Sequence, residues 1–207
     1  MLKYCPPLGR IPERTGRLVP LVSGMISKNI FAILCCTAAV HRVYDRTVKG
    51  FVYFVEKPST ATMQIPIPTK KMSLGLQQRY LVVQLRGMTN KPITLEVCTL
   101  DSKSQRHRFH LSSKFKEIET NSLHVQIPMD PLQEHTWFHV ILDLSSLTSA
   151  HFHARYAGID SICIRPSCRV RKIFTLPTVE ILDGAVFNVP DFFEFPVGTV
   201  CDYRVSM

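Results

Sequence analysis

The sequence predicts an all-β fold, a two-sheet antiparallel β-sandwich, and three observations carry that prediction. Apolar and polar residues alternate over many short runs, as they do in half-buried strands. Turn-forming Pro, Gly and Asn residues divide these runs into about nine or ten strands, at the spacing typical of sandwiches and barrels. No long segment of the 207 residues has apolar side chains at helical spacing. A chain of this length can bury one sizeable core.

Three segments differ in composition. Residues 1–23 are rich in Pro, Gly and Arg and predict an extended arm that orders only within an assembly. Residues 24–177 hold the alternating runs and are assigned to the sandwich. Residues 178–207 contain five acids against one arginine, with a cluster of phenylalanines, and predict a C-terminal tail with few strand signals. Its aromatic residues are expected to pack on the domain or on a neighbour.

The apolar run Ile30 to Val40 spans 11 residues, which is too short to cross a membrane. A strand or short helix packed on the core is favoured there over the core of a signal peptide.

Four of the alternating runs assign an inward face. The residues expected to point into the core are Leu81, Val83 and Leu85, then Ile93, Leu95 and Val97, then Leu123, Val125 and Ile127, and finally Phe138, Val140, Leu142 and Leu144. The stretch from Leu147 to Tyr156 predicts one short helix or turn. Asp143, in an apolar strand with no carboxylate partner in the sequence, is predicted to cap a strand end or turn. Trp137 begins an apolar strand and is expected to be buried.

The charge balance favours an acidic partner. The formal net charge is +9, and residues 25–177 hold 20 Lys and Arg against 10 Asp and Glu. A basic globular body attracts nucleic acid, anionic membranes or acidic protein surfaces. Seven cysteines without a regular framework predict reduced, mostly buried thiols in a cytosolic protein.

No enzymatic or metal-binding motif is present. The sequence lacks GxSxG, a Walker A loop, HExxH, GxGxxG and CxxC. The closest histidine pair, His151 and His153, has no third ligand nearby in the sequence. We therefore expect no catalytic residues, no cofactor and no metal.

Two basic strands are the candidate binding residues. Arg106 and Arg108 alternate with apolar residues in one strand, and Arg169 and Arg171 do so in another. Each pair would present two guanidinium groups about 7 Å apart on the outward side. Such pairs suit carboxylate or phosphate oxygens, although an ordinary solvated face with cross-strand Glu partners fits the pattern equally well.

Lys172 breaks the second alternation. In that strand Cys168, Val170 and Phe174 are expected to share the inner, apolar face. Lys172 falls on the same face by its position and is therefore expected near the end of the strand.

Several motifs in a fixed order carry a resemblance over about residues 30–176. They are Leu74-Gly-Leu76 before Tyr80-Leu-Val-Val-Gln-Leu85, Arg106-His-Arg-Phe109, Trp137 to Leu144, Tyr156-Ala-Gly158 and Cys168-Arg-Val-Arg-Lys-Ile-Phe174. With them the chain resembles the cilia- and flagella-associated protein twenty family of the axonemal inner junction. Val48-Lys-Gly-Phe-Val-Tyr53, Phe195-Pro-Val197 and Asp202-Tyr-Arg204 look closer to the leading domain of the centriolar WD-repeat branch.

The resemblance implies a jelly-roll-like sandwich without catalysis. It implies a structural protein of the cilium or flagellum, in the cytoplasm and cytoskeleton, that joins the B-tubule to the A-tubule of doublet microtubules. Its implied partners are tubulin and other inner-junction or microtubule inner proteins, with no nucleic acid and no membrane. Because tubulin is acidic, we expect Arg106, Arg108, Arg169, Arg171 and Lys172 to contact it.

Three other functions stay open at this stage. One is a protein of the centriolar microtubule wall. Another is a carbohydrate-binding module, which would need exposed aromatic rings in place of a buried Trp137. The third is a nucleic-acid-binding module, for which Tyr53, Phe109 and Phe174 would have to stack on bases. The alternation of these three residues predicts that they point inward instead.

Overall fold

The computed structural model describes residues 35–36, 40–56, 62–66, 73–88, 92–133, 135–182, 185–187 and 194–206, so the expected arm at 1–23 lies outside it. The strands are β1 Cys35–Cys36, β2 Val40–Asp45, β3 Gly50–Val55, β4 Met63–Ile65, β5 Tyr80–Gly87, β6 Thr94–Asp101, β7 Arg106–Ser112, β8 Glu119–Thr120, β9 His124–Pro128, β10 Trp137–Asp143, β11 Tyr156–Arg165, β12 Cys168–Leu176, β13 Glu180–Leu182, β14 Ala185–Phe187 and β15 Cys201–Ser206. The helix α1 spans Leu144–Phe152.

Two large sheets confirm the predicted sandwich. One sheet has seven strands in the order β1-β4-β11-β6-β7-β9-β8, and the other has six in the order β15-β10-β5-β12-β3-β2. Strands β13 and β14 form a separate hairpin. Pairing is antiparallel, as predicted, at every described pair except β7 with β9 and β10 with β15, which are parallel. The alternation of single strands does not reveal these two exceptions.

The core lies between the two sheets. Residues assigned inward from the sequence meet in this one buried cluster, among them Val83 on β5, Val97 on β6, Ile127 on β9 and Val140 on β10. Leu123 is the exception, because it lies in the turn before β9 and is exposed. Burial of this continuous apolar face supplies the main driving force for closing the sandwich.

The short helix, expected between Leu147 and Tyr156, begins three residues earlier at Leu144, directly after the predicted cap Asp143. The Asp143 carboxylate accepts a hydrogen bond from the Ser146 backbone N–H, as a helix N-cap does. Arg79 holds the same carboxylate, with 2.6 Å between its Nη2 and Asp143 Oδ2. Burial opposes ionisation of Asp143, but these hydrogen bonds outweigh it and hold its pKa below the ordinary value.

The C-terminal region contributes a strand that the sequence analysis missed. Strand β15 pairs with β10 in register, with Trp137 opposite Cys201 and Leu142 opposite Ser206. The backbone N–H of Trp137 donates to the Val200 carbonyl at 3.0 Å and fixes the start of this pairing. Strand β15 has only six residues, and Asp202 and Arg204 are charged. Because Pro190 and Pro196 also precede it, its sequence gives only a weak indication of a strand. Part of the expected tail is thus an edge strand of the sandwich.

The cysteines that the structure describes in strands β6, β11, β12 and β15 are all free. Cys98, Cys163 and Cys168 are buried, as expected from the sequence, while Cys201 is exposed.

Within the described ranges no helix combines the length and apolar character needed to cross a membrane.

We predict that Phe138→Ala lowers the free energy of unfolding by about 3–5 kcal/mol, because its ring is fully buried between the sheets and its removal leaves a cavity. Urea denaturation followed by circular dichroism measures this. Ile118→Ala, at an exposed apolar side chain, is the control and should change stability by less than about 0.5 kcal/mol. Equal effects from both variants would contradict the assignment of the core.

Candidate partner-binding surfaces

The two predicted arginine pairs lie on different sheets. Arg106 and Arg108 are on β7 of the seven-stranded sheet, and Arg169 and Arg171 are on β12 of the six-stranded sheet. In both strands the neighbouring apolar residues face the core, so the arginines point to opposite outer sides of the sandwich. The four guanidinium groups therefore do not form one continuous surface.

On the seven-stranded sheet, three arginines surround the carboxylates of two acids. Arg108 Nε lies 3.1 Å from Glu96 Oε1, and Arg165 Nη2 lies 3.7 Å from Glu96 Oε2. Arg106 Nε lies 3.2 Å from Asp160 Oδ2. Cross-strand pairing brings these groups together, because β6 is hydrogen-bonded to both β7 and β11. Arg165 was not identified from the sequence, since no local pattern links it to Glu96.

These three arginines remain accessible although each has an acidic neighbour. The exposed fractions of the Arg106, Arg108 and Arg165 side chains are 69%, 43% and 46%. Partly exposed ion pairs of this kind contribute little to stability. Their remaining N–H groups can bind carboxylates of another molecule, because guanidinium carries five donors. We call Arg106, Arg108 and Arg165 the β7–β11 arginine face.

On the six-stranded sheet, Arg169 forms an ion pair with a buried carboxylate of the protein itself. Asp45 at the end of β2 is almost fully buried, with 2% of its side chain exposed, and it binds two arginines. Arg169 Nη1 lies 2.5 Å from its Oδ2, and Arg86 Nη2 lies 3.1 Å from the same oxygen. Thr47 donates its backbone N–H to Asp45 Oδ1 at 2.9 Å. These contacts tie the β2–β3 turn to β5 and β12.

Burial raises the cost of ionising Asp45, but the hydrogen bonds from Thr47 and Arg169 outweigh it and hold its pKa below the ordinary value. Burial also lowers the pKa of Arg86, which the nearby Asp45 only partly offsets. The three charges therefore form one interdependent group inside the protein.

A β-bulge explains why Lys172 breaks the alternation. The register between β12 and β5 shifts between Val170/Leu85 and Lys172/Gln84, so Arg171 is an extra residue. Beyond it the alternation is reset, and Ile173 rather than Phe174 faces the main core. The expectation that Lys172 lies on the apolar inner side near the strand end is therefore wrong, since it lies in the middle of β12. The expectation that Phe174 shares a face with Val170 is wrong for the same reason. Burial, with repulsion from Arg171, lowers the pKa of Lys172 to about 8.

Arg171 fastens the C-terminal segment to this sheet. Its Nη1 donates to Gln84 Oε1 at 2.8 Å and to the Glu194 carbonyl at 3.0 Å. The guanidinium also lies over the Phe195 ring, 5.1 Å from its centroid. That ring packs edge-on against His139, and burial together with Arg171 lowers the pKa of His139 to about 4. Arg171 is thus a structural contact, and whether it also meets a partner stays a prediction.

The aromatic rings named for the alternative functions pack in the protein, and Tyr53 lies partly buried against the core. Trp137 is fully buried, and its Nε1 donates to Thr47 Oγ1 at 3.0 Å, with Phe195 packed beside it. Phe109 and Phe174 are also buried. At these positions the protein offers neither a platform for a sugar nor stacking rings for bases.

The histidine pair does not form a metal site. His151 Nδ1 lies 3.3 Å from Thr120 Oγ1, and His153 ends α1 in the left-handed conformation. Among the residues that the structure describes, no group of three or more His, Cys, Asp or Glu side chains is arranged to hold a metal ion.

Comparison with known families identifies the family of the chain. The profile of the CFA20 domain matches residues 22–179, most of the chain and nearly all of the two sheets. The chain belongs to the CFA20-domain family. Its motifs had indicated this membership, and the match confirms it.

Two relatives illustrate the range of the family. A Paramecium tetraurelia protein named cilia- and flagella-associated protein 20 is 25% identical over 136 residues, covering 65% of this chain and 70% of that protein. WD repeat-containing protein 90 from Homo sapiens is 28% identical over 148 residues, covering 64% of this chain. The matched region is only 8% of the length of the human protein. A cilia- and flagella-associated protein is thus among the relatives of this chain.

We predict that Asp45→Asn lowers the free energy of unfolding by about 3 kcal/mol at pH 7, because it leaves Arg86 and Arg169 without their shared carboxylate. Chemical denaturation measures the change. Asp130→Asn, at an exposed carboxylate, is the matched control and should change stability by less than about 0.5 kcal/mol.

The same variant tests the depressed pKa of Asp45. A carboxylate with a lowered folded-state pKa stabilises the protein above the unfolded value of about 3.9, and that stabilisation disappears as pH falls through the folded value. The stability difference between the wild type and Asp45→Asn should therefore be constant near neutrality and shrink below about pH 4. A difference that grows on acidification would contradict the assignment.

Proposed function

We propose that the protein is a non-enzymatic structural component of the ciliary or flagellar axoneme that binds the wall of doublet microtubules at the inner junction. In this role it joins the B-tubule to the A-tubule, with tubulin and neighbouring inner-junction proteins as its partners. The proposal rests on membership of the CFA20-domain family, and the single structural observation that supports it is the β7–β11 arginine face.

That face has the chemistry to meet acidic tubulin. Arg106, Arg108 and Arg165 lie on neighbouring strands and keep much of their side chains exposed. Their acidic neighbours hold the guanidinium groups in place without burying them, which reduces the entropy lost on binding. Attraction between this face and an acidic surface speeds association and weakens as salt screens the charges. Repetition along a filament adds avidity to weak single contacts.

The structure changes which residues carry the proposal. Of the residues assigned from the sequence, Arg106 and Arg108 are retained and Arg165 joins them. Arg169 would lose its pairing with Asp45 if it bound tubulin instead. Replacing it with Glu would place a second carboxylate beside a buried one, so a change at Arg169 cannot report on binding alone.

We predict that the triple variant Arg106→Gln, Arg108→Gln and Arg165→Gln binds microtubules about tenfold more weakly at low salt, because three exposed cationic contacts are lost. Co-sedimentation with microtubules across a salt series measures this. Wild-type pelleting should fall as salt rises, and microtubules stripped of their acidic tails test which part of tubulin is bound.

The matched control removes the same charge from another exposed site. Lys103, Lys114 and Lys116 are exposed and lie outside the β7–β11 arginine face, and the variant with all three changed to Gln should pellet like the wild type. Circular dichroism checks that both variants are folded. Equal pelleting of the two variants would remove the β7–β11 arginine face as the contact. A tagged chain imaged in ciliated cells distinguishes the axoneme from the centriolar wall.

A further inference from the structure

The β2–β3 hairpin, residues 40–56, extends beyond the main core. At its open end, Val40, Tyr53 and Val55 pack in or against the core cluster between the sheets. Farther toward the turn, Tyr44 and Phe51 lie on the same side of the hairpin, directly opposite each other. Their exposed fractions are 58% and 55%, so the seven-stranded sheet does not cover them.

These two rings form an ordered patch with an arginine. Tyr44 and Phe51 meet edge to face, with 5.6 Å between their ring centroids. The Arg42 guanidinium lies 3.9 Å from the centroid of Phe51. Large apolar rings held in fixed positions beside a cation are typical of binding anchors.

The hairpin is also strongly basic on its surface. Arg42, Arg46 and Lys49 are exposed, whereas its acid Asp45 is buried and paired with Arg86 and Arg169. Glu56 is the only exposed carboxylate between residues 40 and 56. The patch therefore attracts negatively charged groups.

Strand β2 offers backbone hydrogen bonds beside this patch. It is the last strand of the six-stranded sheet, and none of the described strands pairs with its outer edge. At such an edge every second residue directs its N–H and C=O groups away from the sheet. An extended peptide can pair with these groups and thereby add a strand.

We propose that β2 takes an acidic, extended segment of a partner protein as an added strand. Its backbone pairs with β2, its carboxylates meet Arg42, Arg46 and Lys49, and an apolar side chain packs on Tyr44 and Phe51. Charge and topology make the two terminal segments of this chain poor candidates for the added strand. Residues 1–24 carry net positive charge, and the acidic C-terminal region adds β15 to the opposite edge of the same sheet. A second copy would bring a net charge of +9 to a basic edge.

The test uses the whole chain without tubulin, so its outcome is independent of the microtubule proposal. The probe, here called the Glu-Val peptide, is fluorescein-labelled, about ten residues long and repeats Glu-Ser-Val-Ser, so that its Glu and Val side chains lie on one face, as Arg42 and Tyr44 do. Its binding is followed by fluorescence anisotropy. We expect saturable binding that weakens with salt. The same peptide with its central amides N-methylated should not bind, because it lacks the donors for strand pairing. A Lys-Val peptide should not bind either.

Two variants locate the site. Arg42→Gln, Arg46→Gln and Lys49→Gln together should weaken binding of the probe about tenfold. Tyr44→Ser with Phe51→Ser should weaken it by about the same factor, and both side chains are exposed enough to change without unfolding the sheet. The variant Lys103→Gln, Lys114→Gln and Lys116→Gln, at exposed cations outside both basic surfaces, is the matched control and should bind like the wild type.

Three results would overturn the proposal. One is equal binding of the Glu-Val, N-methylated and Lys-Val peptides. Another is a probe affinity that none of the hairpin substitutions changes. The last is concentration-dependent dimerisation on gel filtration that the hairpin substitutions abolish, which would assign the edge to a second copy instead.

Discussion

One buried carboxylate connects the parts of the six-stranded sheet that are farthest apart in sequence. Asp45 binds Arg86 of β5 and Arg169 of β12, while Thr47 beside it accepts the indole N–H of Trp137 on β10. The backbone carbonyl of Thr47 also accepts a hydrogen bond from the Thr199 hydroxyl, which ties down the C-terminal segment. An unpaired buried charge is costly, so packing that separated these elements would be penalised.

The pairing of Asp45 with Arg86 and Arg169 also affects where positive charge is exposed on the protein surface. Arg86, Arg169 and Arg171 of the six-stranded sheet are used internally, where they hold the hairpin turn and the C-terminal segment. Arginines on the seven-stranded sheet are held at their acidic neighbours but stay exposed. The hairpin keeps its own cations free of Asp45, because that carboxylate is already paired. Two separate basic surfaces result, one on a sheet face and one on a sheet edge.

The sequence predicted the fold better than the site, for physical reasons. Alternation along β5, β6 and β10 depends on each strand alone, so Leu85, Val97 and Phe138 were correctly assigned to the core. The bulge at Arg171 could not be foreseen, because it is defined by register against β5. Ion pairs such as Glu96 with Arg165 also depend on which strands become neighbours. Strand β15 was missed because edge strands need little apolar character.

The parallel pairing of β10 with β15 has a consequence for synthesis of the protein. Because Trp137 pairs with Cys201, β10 is synthesised long before its partner β15. Until β15 has been translated, the edge of β10 opposite β5 has no strand to pair with. During that interval the indole and His139 lack the cover that Phe195 later provides. A chain terminated before β15 would keep this edge of β10 unpaired. The sheet is completed only when translation has passed Ser206.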